Sequence, residues 1–271
     1  MKKPHYRSWI PKRKVVIFLA VSLFLLLLPL IYDFGQLANI LMIIAAVPAI
    51  IMTFKLSLTY NAFSPSGGNY QDKIYDLAAQ EFDLEEGKAL DVGTLSGALP
   101  IKLAKKNPKI TIEGVDHWRD DALIKRRDNK KKKNKKNRQP LLLGDEECRQ
   151  NAEVEGVSLK QVKFSRVHIN RLPFKDGAFD GLTSVLTYQQ AAGEKNENLV
   201  YESLRTLRIG GEFVLIDQFK DKNAFGDFDK FIKNMDVSEI EIIPLEEKID
   251  LPWILKLKSN LGNVVILKGI K

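Results

Sequence analysis

The chain has one cysteine, Cys148, in 271 residues. No internal disulfide is possible, which excludes a disulfide-stapled secreted scaffold and points to a reducing compartment. Histidine is as sparse: His5, His117 and His168 are far apart, and no Cys or His pair has metal-ligand spacing, so no metal site is expected. Two apolar stretches lack charge altogether. Val15 to Ile31 has Ser22 as its one polar side chain, and Leu37 to Phe54 has only Asn39 and Thr53. No small-residue cleavage site follows Ile31, which argues against a removable leader.

What is present in excess is basic charge, and it is uneven. The net +8 combines +6 on residues 1–14, +9 on residues 125–138 and −7 on all the rest. The bulk of the chain is therefore mildly acidic, and a nucleic-acid-binding reading cannot rest on total charge.

The apolar runs, 15–31 and 37–54, are 17 and 18 residues long, near the shortest length that spans a bilayer. Only five residues separate them, so two helices here must form a tight antiparallel hairpin. The basic tail 1–14 before the first span, the absence of Lys and Arg in the turn, and Lys55 after the second span place both ends and the following domain in the cytoplasm, at the cell membrane. Trp9, Tyr32 and Tyr60 sit where interfacial aromatics are expected. Pro29 and Pro48 should kink or end their helices. With no ionisable residue inside either run, the hairpin reads as an anchor and not as a transport path.

From residue 60 to 271, short apolar runs alternate with amphipathic stretches, the pattern of an α/β domain with a mainly parallel sheet. Lys88 to Val92 is expected as a strand running into the turn Gly93-Thr94-Leu95-Ser96-Gly97, followed by a helix from Ser96 to Lys106. Ile110 to Val115 is a second strand ending at Asp116, one βαβ step after Asp91. Further strands are expected at 162–164, 179–185 and 212–216, a helix at 199–207, and an antiparallel pair at 240–243 and 264–268. Glycines in the first turn permit close ligand approach, and an acid ending the second strand suits ribose hydroxyls.

Five ordered blocks then resemble the class I S-adenosylmethionine-dependent methyltransferases, particularly those with the domain behind a short membrane segment. They are LDVGTLSGALPIKLAKKNP (90–108), VDHW (115–118), ECRQNAEVEGV (147–157), LPFKDGAFD (172–180) and LRIGGEFVLID (207–217). The resemblance implies a doubly wound, mainly parallel seven-stranded Rossmann-like sheet and S-adenosylmethionine as cofactor. It puts Asp91 at the cofactor's methionine end, Gly93, Thr94, Ser96 and Gly97 around the turn, Asp116 on the ribose, and His117, Trp118 and His168 beside the adenine. The loop after the fourth strand would contact substrate, with Tyr188 and Gln189 as candidates. Asp217, ending the fifth strand, is the remaining carboxylate on that rim and reads equally well as a cap of its own turn. Asp180 reads as a structural hydrogen-bond partner.

The sequence departs from the family pattern in three places. Leu95 stands at the middle glycine, Thr94 at a small Cys or Ser, and His168 at an acidic position. If position 95 needs positive φ, leucine strains the turn. Two functions follow: a membrane-anchored methyltransferase at the cytoplasmic face with an unidentified acceptor, or a membrane adaptor that keeps the fold with a decayed cofactor turn. The Lys-rich insertion 125–138 has no aromatic or RNA-binding motif. Besides a tolerated surface insertion, it suits anionic membrane lipid better than nucleic acid.

Overall fold

The computed structural model describes residues 3–118, 144–189 and 196–271. The Lys-rich insertion lies outside the described residues. The chain divides into two compact units: one comprises Met1–Tyr6, Tyr75–Lys248 and Asn263–Lys271, the other Arg7–Ile74 with Ile249–Gly262.

The second unit is built on two long apolar helices, α1 (Lys12–Ile31) and α2 (Gln36–Phe63). Their few polar side chains meet each other. The Ser22 hydroxyl donates to its own helix at Phe18 O (2.7 Å), Thr53 does the same to Ala49 O (2.8 Å), and the two hydroxyls lie 3.2 Å apart across the hairpin. This arrangement gives both hydroxyls partners within the helix pair. The turn is fixed by Asp33, whose Oδ1 accepts from Gly35 N and Asn39 Nδ2. Pro29 falls two residues before the end of α1, whereas Pro48 is accommodated within α2.

Helix α2 continues nine residues past the expected apolar stretch. Its last turns are not solvated: Thr59, Ala62 and Phe63 are buried, with Trp9 edge-on to Phe63 at 5.2 Å. Gln71 holds the backbone of Arg7 and Trp9, accepting from Trp9 N and donating to Arg7 O. Segment 249–262 also belongs to this unit, so the stretch 60–271 is shared between the two units. The reason is packing between residues about 200 positions apart, which no local pattern records.

In the first unit, α3 (Tyr70–Glu81, the greater part of which belongs here) precedes β1 (Gly87–Val92), α4 (Ala98–Lys106) and β2 (Ile110–Asp116). After the undescribed stretch come α5 (Asp145–Val154), β3 (Val162–Arg166), β4 (Phe179–Val185), α6 (Asn196–Thr206) and β5 (Leu207–Asp217). Two short helices, α7 (Lys222–Phe225) and α8 (Phe228–Lys233), lead to β6 (Glu239–Pro244), α9 (Leu245–Lys248) and β7 (Val265–Ile270).

The seven strands lie in the order β3-β2-β1-β4-β5-β7-β6. Strands β1 to β5 pair in parallel, and β7 runs antiparallel to both β5 and β6. The doubly wound, mainly parallel sheet is as the sequence implied, including the antiparallel pair at one edge. Its centre reads as continuous apolar runs because both faces are covered: Leu90, Val92, Leu182, Phe213, Leu215 and Leu267 are fully buried. The chain reverses its winding between β1 and β4, so the carboxyl ends of those two strands flank the crevice where such sheets place ligands.

Candidate active site

Strand β1 delivers Asp91 to this crevice at 2% exposure, in register with Gly114 of β2 and Thr183 of β4. The Thr183 hydroxyl donates to Asp91 Oδ1 at 2.9 Å. The other oxygen, like the buried Thr94 hydroxyl near it, makes no hydrogen bond of good geometry. Burial pushes the Asp91 carboxyl up to about 7; hydrogen bonding with Thr94 and Thr183 opposes the shift and the charge of Asp116 adds to it.

The turn after Asp91 is pinned to the neighbouring strand, with Gly93 N and Thr94 N both donating to Val115 O. Gly93 (φ 81°) and Gly97 (φ 83°) are left-handed. A Cβ at Gly93 would stand 1.9 Å from Thr187 Oγ1, so glycine is needed for space as well as for conformation. Gly114 performs a related service: a Cβ there would meet Thr94 Oγ1 at 2.9 Å and the Phe164 ring at 3.0 Å. Ser96, 1% exposed, presents its carbonyl to Asn151 Nδ2 at 2.9 Å.

Leu95 is the departure with the clearest outcome. Its φ is 52°, so position 95 does require the left-handed region, and a branched residue occupies it. Three groups hold it there: Leu95 N donates to Asp116 Oδ2 (2.8 Å), while its carbonyl accepts from Trp118 Nε1 (2.7 Å) and Cys148 Sγ (3.5 Å). Asp116 thus braces the turn with one carboxylate oxygen. Trp118, expected beside the adenine, is 6% exposed and acts as a second brace. His117 and His168 are brought together, their rings 4.0 Å apart and tilted by 32°. Both are exposed.

The three residues expected to contact substrate separate. Tyr188 is 0% exposed and belongs to the core with Phe219, and its hydroxyl has no well-formed hydrogen bond. That position corrects its reading as a substrate contact, because the ring is packing. Asp217 is 1% exposed, and its carboxylate accepts from the backbone of Tyr188 (2.8 Å), Gln189 (3.3 Å) and Gln218 (2.8 Å). Burial raises its carboxyl to about 6 against those three bonds. Of the two readings of Asp217, cap or rim carboxylate, the geometry supports the cap, which also fixes the loop after β4. Gln189 remains half-buried on the rim, its Nε2 donating to Gln218 Oε1 at 2.9 Å. Asp180 is structural as expected, accepting from Lys88 N and from Arg208 Nε.

Sequence reasoning missed Thr183, Thr187, Cys148 and Asn151, all of which line or brace the turn. Asn151 also exchanges two hydrogen bonds with the backbone of His5, whose ring nitrogen lies 2.8 Å from Glu147. These partners come from other strands and helices, and no motif marks them. Among the described residues no group of three His, Cys, Asp or Glu is placed to hold a metal ion.

No curated protein sequence matches the chain. The family model described as "Methyltransferase domain" matches residues 90–215. Among solved structures, the chain is similar to a geranyl diphosphate methyltransferase in complex with S-adenosylmethionine. The two share 12% identity over 78% of this chain and 93% of that one, with a TM-score of 0.52. It is also similar to an S-adenosylmethionine-dependent methyltransferase from Aquifex aeolicus, with 14% identity, coverage of 72% and 87%, and a TM-score of 0.45. At 12% identity the likeness to the first of these carries the fold alone, and the family match names the domain. The buried carboxyl of Asp91 and the glycine cradle at 93 and 97 fit the cofactor's cationic end. Residues 90–215 match a methyltransferase domain, and the sheet that frames them shares its fold with an S-adenosylmethionine-dependent methyltransferase.

Proposed function

We propose that the protein is a membrane-anchored methyltransferase whose domain works at the cytoplasmic face, with α1 and α2 as the anchor. The observation that carries the anchor is solvation: both helices are long and apolar enough to cross a bilayer, yet only 6% of each apolar stretch is buried within the protein. Side chains such as Leu30, Leu37 and Ile51 would otherwise face water at 63% exposure or more. The positive charge at the tail and at Lys55 supports the cytoplasmic orientation.

The cofactor supplies an electrophilic methyl group on a sulfonium sulfur. The chain's own contribution is positioning. Ionised Asp91 would take the ammonium of the methionine end, and the backbone at Gly93 to Gly97 would border it. The loop held by Asp217 would border the acceptor, with half-buried Gln189 as its polar side chain on the rim. No general base is placed at this rim among the described residues, so an acceptor that needs little help in losing a proton fits best. The charge of the Lys-rich insertion 125–138 suits anionic lipid.

Calorimetry of the full chain in detergent micelles tests the cofactor, with saturable heat for S-adenosylmethionine as the expected result. Alkaline carbonate extraction of membranes from expressing cells tests the anchor, and release into the supernatant would overturn it. The adaptor reading is favoured by two observations, the engagement of Asp116 with Leu95 N and the ring contact of His117 with His168. It predicts no heat at millimolar cofactor.

A further inference from the structure

Residues 249–262 leave the methyltransferase unit between β6 and β7 and fold instead with the apolar helices. The segment is a knot of turns closed on itself: Leu255 N and Lys256 N donate to Pro252 O, Leu261 N to Leu255 O, and Gly262 N to Leu257 O. Leu251, Ile254, Leu255 and Leu261 point inward and are buried. Asn260 Nδ2 ties the knot at Ile254 O (2.6 Å) and Thr59 Oγ1 of α2 (3.4 Å), and Lys55 Nζ donates to Ser259 Oγ (2.8 Å).

With its interior filled and its backbone bonded, the knot nevertheless turns Trp253 outward at 63% exposure and Leu257 at 37%, beside exposed Lys256 and Lys258. A folded turn that keeps four leucines and isoleucines inside has no packing reason to expose its largest aromatic. Its place in the fold supplies one. Lys55 is the first charge after the apolar run of α2, and Thr59 is one helical turn further, about 6 Å along the axis. The knot is therefore fastened at the level where an apolar span gives way to headgroups. An indole with lysines around it is the composition of that boundary, the ring in the acyl edge and the ammonium groups among phosphates.

We propose that Trp253 and Leu257, flanked by Lys256 and Lys258, insert into the headgroup–acyl boundary of the membrane that α1 and α2 cross. This makes 249–262 a second, peripheral membrane contact, contributed from within the methyltransferase sequence. It rests on the membrane reading above. Its consequence is that the loop between β6 and β7 is held at the lipid surface, independently of the covalent link through α2.

The test uses the full chain reconstituted into vesicles of equal parts phosphatidylcholine and phosphatidylglycerol, compared with Trp253→Phe. The substitution lies at an exposed position and leaves Trp9 and Trp118 as a common background. Subtracting the two emission spectra isolates Trp253. Lipids brominated near the headgroup end of the chain are expected to remove most of that difference, with a blue-shifted maximum, and aqueous iodide to remove little. If carbonate-resistant protein shows a Trp253 component quenched by iodide and not by brominated lipid, the proposal fails while the anchor stands. A component quenched by neither means a protein covers Trp253, which also overturns the proposal. Protein extracted by carbonate would overturn the anchor and this contact together.

Discussion

Asp91→Asn separates the electrostatic role of this residue from its place in the core. The carboxyl is 2% exposed, and burial raises it from an ordinary 3.8 to about 7. Because the folded value lies above the unfolded one, the folded state holds the proton more tightly. Stability therefore falls as pH rises from about 4 to about 7 and is flat beyond it. The difference corresponds to about 4 kcal/mol of destabilisation once Asp91 is ionised, at about 1.36 kcal/mol per tenfold change. Asparagine is nearly isosteric: its oxygen still accepts from Thr183, and its amide can donate to the Thr94 hydroxyl that lacks a good partner. In a domain of this size about 4 kcal/mol moves the melting temperature by about 10 °C. Scanning calorimetry of both proteins in micelles should show the Asn variant melting about 10 °C higher near pH 8, with the curves converging near pH 4. Asp217 has the same sign and is present in both proteins, so it cancels in the comparison. A melting difference that is the same at both pH values would refute the burial argument. The stabilised variant should bind S-adenosylmethionine poorly, since its ammonium partner is gone.

In the wild type, cofactor affinity measured by calorimetry should rise as pH passes about 7, because the bound cation favours ionised Asp91; a flat profile would remove Asp91 from the cofactor's charged end. Leu95→Gly relieves about 1–2 kcal/mol of left-handed strain but frees the unfolded chain and loses side-chain packing, so melting should change little. S-adenosylmethionine binding should weaken, whereas a gain would favour the decayed-site reading. Gly93→Ala forces a Cβ against Thr187 at φ 81° and should lower stability by about 2 kcal/mol or more and abolish cofactor binding, read by thermal shift with and without ligand. Tyr188→Phe removes a buried hydroxyl with no well-formed bond, so it should stabilise by about 1 kcal/mol and leave methyl transfer unchanged; lost activity would return Tyr188 to the substrate site.

The parts of this protein that were legible in its residues are those governed by local periodicity. Apolar runs at 88–92, 110–115, 179–185 and 212–216 became the parallel sheet because strands covered on both faces must be apolar throughout. The glycines at 93 and 97 and the strained Leu95 were legible too, since backbone conformation at a strand-to-helix turn is set within a few residues. Chemistry-bearing side chains were less so. Asp116, expected on a ribose, also braces Leu95 with one carboxylate oxygen, Tyr188 was expected at a substrate and fills the core, and the backbone bonds of Asp217 favour a cap. Each outcome depends on a partner from a different element, and short-range patterning carries no information about such partners.

The length of α2 makes the same distinction. Composition ends the apolar stretch at Phe54, and the helix continues to Phe63 because Trp9 from one side of the sequence and residues 249–262 from the other cover its last turns. The amino-acid order settled that two uncharged stretches precede an α/β domain with a cofactor turn, since hydropathy and turn chemistry act locally. The fold settled which residues brace that turn and that a loop between the last two strands joins the apolar helices. Those contacts arise only when burial of distant surfaces outweighs the entropy of bringing them together.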